Sequence, residues 1–177
     1  LLVAAVILED PFADTWKEIR DSKELSESKR EKLFDVINEY ALSVSVVEIA
    51  PEEIDARGVH AANLDGMRRA VLALSVQPAY VLTDGYAIDG LAVPNLAVWK
   101  GDQVCTTISA ASIIAKVSRD EWCVQADLEY PGYGFASHKG YATAEHLEAL
   151  NRLGPCILHR QSFEPVRRAF LEHRNGF

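Results

Sequence analysis

Ile108-Ser109-Ala110-Ala111-Ser112-Ile113-Ile114-Ala115-Lys116-Val117-Ser118-Arg119-Asp120 is the stretch on which the reading of this chain turns. At about 100° per residue its polar members are not scattered. Ser109, Ser112, Lys116 and Asp120 follow one another at steps of three, four and four, along one narrow stripe of a helix. Ile108, Ala111, Ile114 and Val117 lie on other faces, so most of the girth is apolar and suited to burial. Such a stripe finds buried partners, lines a polar cavity, or faces solvent as the wet side of an ordinary amphipathic helix. The pattern predicts a helix from Thr106 to about Leu128, ended by Pro131-Gly132.

Upstream of that helix, short apolar runs alternate with helical patterns. Leu1 to Leu8 is a continuous β-prone run stopped by Glu9-Asp10-Pro11, and it reads as a buried strand. Ser26 is placed to cap a helix through about Tyr40, with Leu33, Phe34, Ile37 and Tyr40 on one face. Ser43 to Ile49 alternates as a second strand, and Pro51-Glu52-Glu53 opens a short helix. Asn63 to Leu74 is a further amphipathic helix, followed by strands at Ala79 to Thr83 and Leu96 to Trp99, the latter running into a Lys100-Gly101-Asp102 turn. Residues 131 to 141 read as a glycine and aromatic loop, and Ala144 to Leu153 and about Glu164 to His173 as two closing helices. This order predicts an α/β protein, a mixed sheet covered by helices.

The 177 residues fit one domain, and with 49% hydrophobic and 25% charged residues they match a globular composition. No apolar run approaches the roughly 20 residues that span a bilayer, and Leu1 to Leu8 lacks the basic flank of a signal peptide, so the chain reads as cytoplasmic and without a membrane partner. Cys105, Cys123 and Cys156 form no C-x-x-C pair and read as three reduced, buried thiols. The net charge of -8 lies entirely in residues 1 to 99, with 9 Lys/Arg against 17 Asp/Glu; residues 100 to 177 balance at 9 each. No acidic residue occurs from Pro131 to Ala144 or from Ala149 to Phe163, which leaves room for a local nucleic-acid face on an acidic protein.

Asp84 follows an apolar strand and precedes Gly85, which puts a carboxylate where open α/β sheets build their sites, or else in a common Asp-Gly turn. Asp21-Ser22-Lys23 precedes a helix and reads as a capped loop or as a phosphate contact through Lys23. Ser137 beside His138 has no G-x-S-x-G elbow around it, and the five dispersed histidines have no zinc-ligand spacing.

Taken together, Asp21-Ser22-Lys23-Glu24-Leu25-Ser26, Leu82-Thr83-Asp84-Gly85, the segment ending Lys116-Val117-Ser118-Arg119-Asp120, and Gly132-Tyr133-Gly134-Phe135 with His138-Lys139-Gly140-Tyr141 resemble the ribonuclease HII family in order and spacing. The resemblance runs from Leu1 through Arg167. It implies a ribonuclease H-like mixed β-sheet flanked by helices. It also implies a metal-dependent endonuclease that hydrolyses the RNA strand of RNA/DNA hybrids and incises at single ribonucleotides embedded in duplex DNA. By this resemblance Asp84 and Asp120 are two of four acidic ligands for two Mg²⁺ or Mn²⁺ ions, the hard cations that phosphodiester hydrolysis uses. Tyr141 matches the tyrosine that packs on the sugar at the RNA-to-DNA junction. Lys23 and Lys116 are candidate substrate contacts, and Arg160, Arg167 and Arg168 are weaker ones.

The chain departs from the family pattern at its start. Members open with a central strand carrying Asp-Glu, followed by Gly-Arg-Gly, ahead of the run matching Leu1 to Leu8. The expectation is therefore a single, N-terminally incomplete catalytic domain over residues 1 to 177, a monomer whose activity in this form is impaired. The strand matching Leu1 to Leu8 and the strand ending at Asp84 should then not be hydrogen-bonded to each other. The competing expectation is a non-catalytic nucleic-acid-binding module of the same fold.

Overall fold

The computed structural model describes residues 1 to 175. In chain order it contains strand β1 (Leu2–Ile7), a 3-10 turn (Asp14–Trp16), helix α1 (Glu27–Tyr40), β2 (Ser43–Glu48), α2 (Pro51–Arg57), α3 (Val59–Leu72), β3 (Val81–Asp84), β4 (Asn95–Val98), α4 (Gly101–Val104), α5 (Thr106–Glu129), α6 (Phe135–His138), α7 (Ala144–Leu153) and α8 (Glu164–Asn175). Its contacts gather into two units. One holds Leu2–Glu48 and His60–Ser118; the other holds Leu1, Ile49–Val59 and the chain from Arg119 onward.

In the first unit, β1 and β2 pair antiparallel with Val6 opposite Val44, and β3 and β4 pair parallel with Asp84 opposite Val98. Both strand directions of a mixed sheet are thus present, but in two separate ladders. Among the described residues β1 pairs only with β2, and β3 only with β4. Between β1 and β3 lies a cleft of about 520 Å³, lined along one wall by Leu2 to Leu8 and along another by Pro78 to Asp84, with Ile108, Ala111 and Ser112 of α5 contributing. The two strands expected to flank an absent central strand are not bonded to each other, and each turns one hydrogen-bonding edge away from its ladder partner.

The core of this unit is built from the apolar faces read in the sequence. Val6 and Leu8 pack with Leu33 and Ile37 of α1 and with Ala110, Ile113, Ile114 and Val117 of α5. The helix α1 starts where Ser26 accepts the Lys29 backbone N–H at 3.3 Å, the cap expected at that position. Trp16 is buried with its indole Nε1–H donated to the Asp10 carbonyl at 2.9 Å, which satisfies its one polar atom.

The second unit has its own core, in which Ala126 packs with Tyr133, Phe135, Ala149, Leu150, Val166 and Ala169. Thr143 caps α7 by accepting the His146 N–H at 3.3 Å, and Gly154, at φ 73°, lets the chain leave the helix. Two expectations change here and in the first unit. The loop at 131 to 141 contains the single turn α6, entered and left through left-handed residues Gly134 and Lys139. The Lys100-Gly101-Asp102 turn is likewise the start of α4, with Lys100 left-handed at φ 52°. Helices of four residues are too short to show a periodic pattern, so neither left a helical signature. The three cysteines are reduced as expected, but only Cys123 is fully buried; Cys105 and Cys156 are half-buried.

Candidate functional site

Asp84 ends β3, exposed, with Oδ1 accepting the Gly101 backbone N–H at 2.8 Å. The left-handed Lys100 presents that amide, so a backbone donor orients one carboxylate oxygen. Among the described residues the other oxygen, Oδ2, accepts no hydrogen bond. Gly85 takes φ 78°, which turns the chain sharply behind the carboxylate. Asp84 is therefore both a turn residue and an anchored, exposed oxygen donor.

Around it stands a residue that sequence reasoning passed over. Asp102, buried at 5% exposure, accepts Lys23 Nζ at 2.8 Å through Oδ2. That hydrogen bond leads the influences that raise the Lys23 amine above its ordinary range, ahead of the opposing effect of burial. Lys23 nevertheless remains largely exposed, so most of its ammonium surface is open to solvent. Asp21, also buried, accepts the Lys23 backbone N–H at 3.0 Å through Oδ1 and Gln103 Nε2 at 3.2 Å through Oδ2. The signal for Asp102 was an acid directly after Lys100-Gly101 in a chain segment with few charges, read as turn chemistry alone.

The polar stripe of α5 finds partners in the way its buried setting demands. Ser109 donates to the Asp102 carbonyl at 2.8 Å and shares the Cys105 carbonyl at 3.0 Å. Ser112 Oγ lies 3.0 Å from Ser22 Oγ. Lys116 and Asp120, the next two members, are both half-buried on the same continuous helix. Asp120 belongs to the second unit with Tyr141, whereas Asp84, Lys23 and Lys116 belong to the first.

In the second unit Tyr141 is 56% exposed and follows the left-handed pair Lys139 and Gly140. The Arg119 guanidinium lies over its ring, 4.4 Å from the centroid, and Nη1 donates to the Tyr141 hydroxyl at 2.9 Å. The same arginine donates through Nη2 to the Lys139 carbonyl at 2.5 Å. One cation thus braces both the ring and the turn that carries it. The weaker arginine candidates are otherwise engaged. Arg160 lies 5.0 Å from the Phe163 ring, while Arg167 and Arg168 face Glu164 at 2.5 and 4.0 Å. Ser137 donates to Glu145 at 3.0 Å and His138 Nε2 faces the Tyr133 carbonyl at 2.8 Å, so the two form no nucleophile and base pair.

Among the described residues no group of three or more His, Cys, Asp and Glu side chains is gathered as a ligand set. Among them also no helix is long and apolar enough to cross a membrane.

Residues 1–166 match the family model of ribonuclease HII. A ribonuclease HII of Mycobacterium avium is 56% identical over 168 residues, which cover 95% of this chain and 73% of that protein. The crystal structure of the ribonuclease H2 from Pyrococcus horikoshii OT3 superposes with a TM-score of 0.79 at 21% identity, covering 98% of this chain and 99% of that one. A Bst-RNase HIII structure in complex with Mn²⁺ superposes with a TM-score of 0.66 at 17% identity, over 89% of this chain and 59% of that one. With the motif order, the α/β fold and these likenesses in agreement, the chain belongs to the ribonuclease HII family of metal-dependent endoribonucleases.

Proposed function

We propose that residues 1 to 177 form one catalytic domain, a monomer in the cytoplasm, which together with an Asp-Glu strand hydrolyses the RNA strand of RNA/DNA hybrids and incises duplex DNA at a single embedded ribonucleotide, and whose activity without that strand is impaired. The observation that carries this reading is Asp84, anchored through one oxygen to the Gly101 N–H and exposed through the other. Hard divalent cations bind such carboxylate oxygens, and Asp84 and Asp120 would hold Mg²⁺ or Mn²⁺. When bound, two such ions supply an activated water and neutralise charge at the phosphate and the departing oxygen. The chain's own side chains bind and orient the substrate. Lys23, tethered by Asp102, faces a phosphate, Lys116 adds positive charge on the α5 stripe, and Tyr141 packs on the sugar where RNA meets DNA.

The cleft between β1 and β3 completes the reading. A strand laid between two open edges, at about 4.8 Å from each, would pair both rows of backbone groups. If that strand carries an Asp-Glu pair, it adds two carboxylates to the half set that Asp84 and Asp120 provide.

The test uses a DNA duplex with one ribonucleotide and its all-deoxy control. They are incubated with Mg²⁺, Mn²⁺ or chelator, and with this chain or a form carrying an added Asp-Glu strand. Ribonucleotide-dependent, chelator-sensitive cleavage by the extended form supports the proposal. The exposed Tyr141 ring, braced by Arg119, favours one second reading, a nucleic-acid-binding module without catalysis. Selective binding with no cleavage by either form would establish that reading and overturn the first.

A further inference from the structure

Three of the five histidines, unremarkable in sequence, meet behind the turn that carries Tyr141. His138, His146 and His159 are all buried, at 5%, 7% and 6% exposure. The His138 and His146 rings stack with centroids 4.1 Å apart and an interplanar angle of 9°. His146 Nε2 and His159 Nε2 are 3.0 Å apart.

The partners of each ring determine where its proton sits. His146 Nδ1 lies 2.9 Å from the Tyr141 carbonyl, which only accepts, so Nδ1 carries the hydrogen and Nε2 is the acceptor. His159 Nε2 must then donate across the 3.0 Å contact, leaving its Nδ1 as an acceptor. That atom receives the Cys156 backbone N–H at 3.0 Å and faces the Cys156 Sγ at 3.1 Å, with the Cys156 carbonyl oxygen farther off at 3.3 Å. His138 Nδ1 accepts the Gly140 N–H at 3.1 Å, and its Nε2 donates to the Tyr133 carbonyl at 2.8 Å. Both nitrogens of every ring thus have a hydrogen-bond partner. A directed chain runs from Cys156 through His159 and His146 to the backbone of Tyr141.

The turn at Tyr141 is held at several points, the Tyr141 N–H donating to the His138 carbonyl at 2.9 Å and Arg119 bracing its ring and hydroxyl. Its left-handed neighbours are held by His138 and Arg119, and the Tyr141 carbonyl receives, besides His146, the Thr143 N–H at 2.9 Å. We propose that His146, oriented by His159, is a positioning residue that fixes the Tyr141 backbone so that its ring meets the sugar at an RNA-to-DNA junction. This rests on the reading of Tyr141 as the sugar contact. It adds that junction selectivity depends on a buried imidazole relay that never touches substrate.

The experiment measures, in metal-free buffer, the affinity of the chain for a duplex with one ribonucleotide relative to the all-deoxy duplex. Tyr141→Ala lowers that preference if the tyrosine reads the sugar. His146→Leu removes one hydrogen bond to the turn and should lower the preference about five-fold. His146→Asn, whose amide nitrogen takes the place of Nδ1, should restore it to within about two-fold. In the Tyr141→Ala background His146→Leu should cost nothing further, because the two changes act through one group. Amide exchange over residues 139 to 143 should accelerate in His146→Leu and recover in His146→Asn. Additive losses in the double variant, or unchanged exchange in His146→Leu, overturn the relay while leaving Tyr141 as sugar contact. No change of preference in Tyr141→Ala overturns the tyrosine reading and, with it, the proposed link to selectivity. If His146→Leu does not fold, His159→Leu breaks the relay one step farther out and His159→Gln restores its Nε2 donor. The same outcomes then apply.

Discussion

The Lys23 ammonium and the Asp102 carboxylate meet at 2.8 Å across 79 residues of sequence, one group largely in water and the other 5% exposed. That asymmetry makes the two partners unequal. Among the described residues Lys23 supplies the hydrogen bond that the Asp102 carboxylate receives, whereas the lysine has solvent as an alternative.

Replacing Lys23 by Met should therefore cost on the order of 1–3 kcal/mol, the penalty for a buried acceptor left unsatisfied. Asp102→Asn, which removes the buried charge, should cost less. Urea unfolding of both variants measures the order. If Lys23 also contacts a phosphate, the same Met variant lowers the slope of log affinity against log salt by about one on an RNA/DNA hybrid.

Asp84→Asn keeps an oxygen for the Gly101 N–H and removes the charge. The melting temperature should stay near that of the parent, while Mn²⁺ affinity falls by more than the 10- to 100-fold typical of residues that only support a ligand. Titration calorimetry with Mn²⁺ checks this, and unchanged affinity would remove Asp84 from the ligand set.

Ile113 and Ile114 are fully buried in α5, packed with α1 and β1, whereas Leu128 near the end of the same helix is 74% exposed. Truncation of either isoleucine to Ala should destabilise by about 2–5 kcal/mol. Leu128→Ala should fall within about 0.5 kcal/mol of the parent. Chemical unfolding of the three variants gives the comparison.

Burial, followed by the neighbouring His146, pushes the His159 imidazole down from 6.5 to about 4. Burial likewise lowers His146. Between those two pH values the unfolded chain binds more protons at position 159 than the folded chain does. The stabilisation is therefore complete above pH 6.5 and is lost as pH falls toward 4. In His159→Gln the difference in unfolding free energy between pH 7 and pH 4 should shrink by roughly 3 kcal/mol. Parallel pH dependence in the two proteins would show that His159 titrates alike folded and unfolded.

Most of the element order was legible because its causes are local. Ser26 precedes an apolar face at helical spacing, Leu1 to Leu8 is continuous and β-prone, and Pro131-Gly132 follows the end of the long helix. Asp84 was ambiguous for an equally physical reason. An Asp-Gly pair is first a turn, and its carboxylate acquires a direction only when the Gly101 amide, 17 residues away, arrives beside it. The α5 stripe left buried partners, a polar cavity or solvent open for Ser109 and Ser112, and Asp102 and Ser22 could be named only after the chain had folded back.

By itself the sequence determined the α/β class, the helix that carries Lys116 and Asp120, and family membership, since periodicity and motif spacing are properties of neighbours along the chain. Tertiary structure alone decided which edges β1 and β3 leave open, that Asp102 anchors Lys23, and that His159 and His146 form one hydrogen-bond chain to the Tyr141 carbonyl with His138 stacked on it. Hydrogen-bond pairing and burial depend on which distant segments meet, and a dispersed polar residue has no periodicity from which to infer its partner.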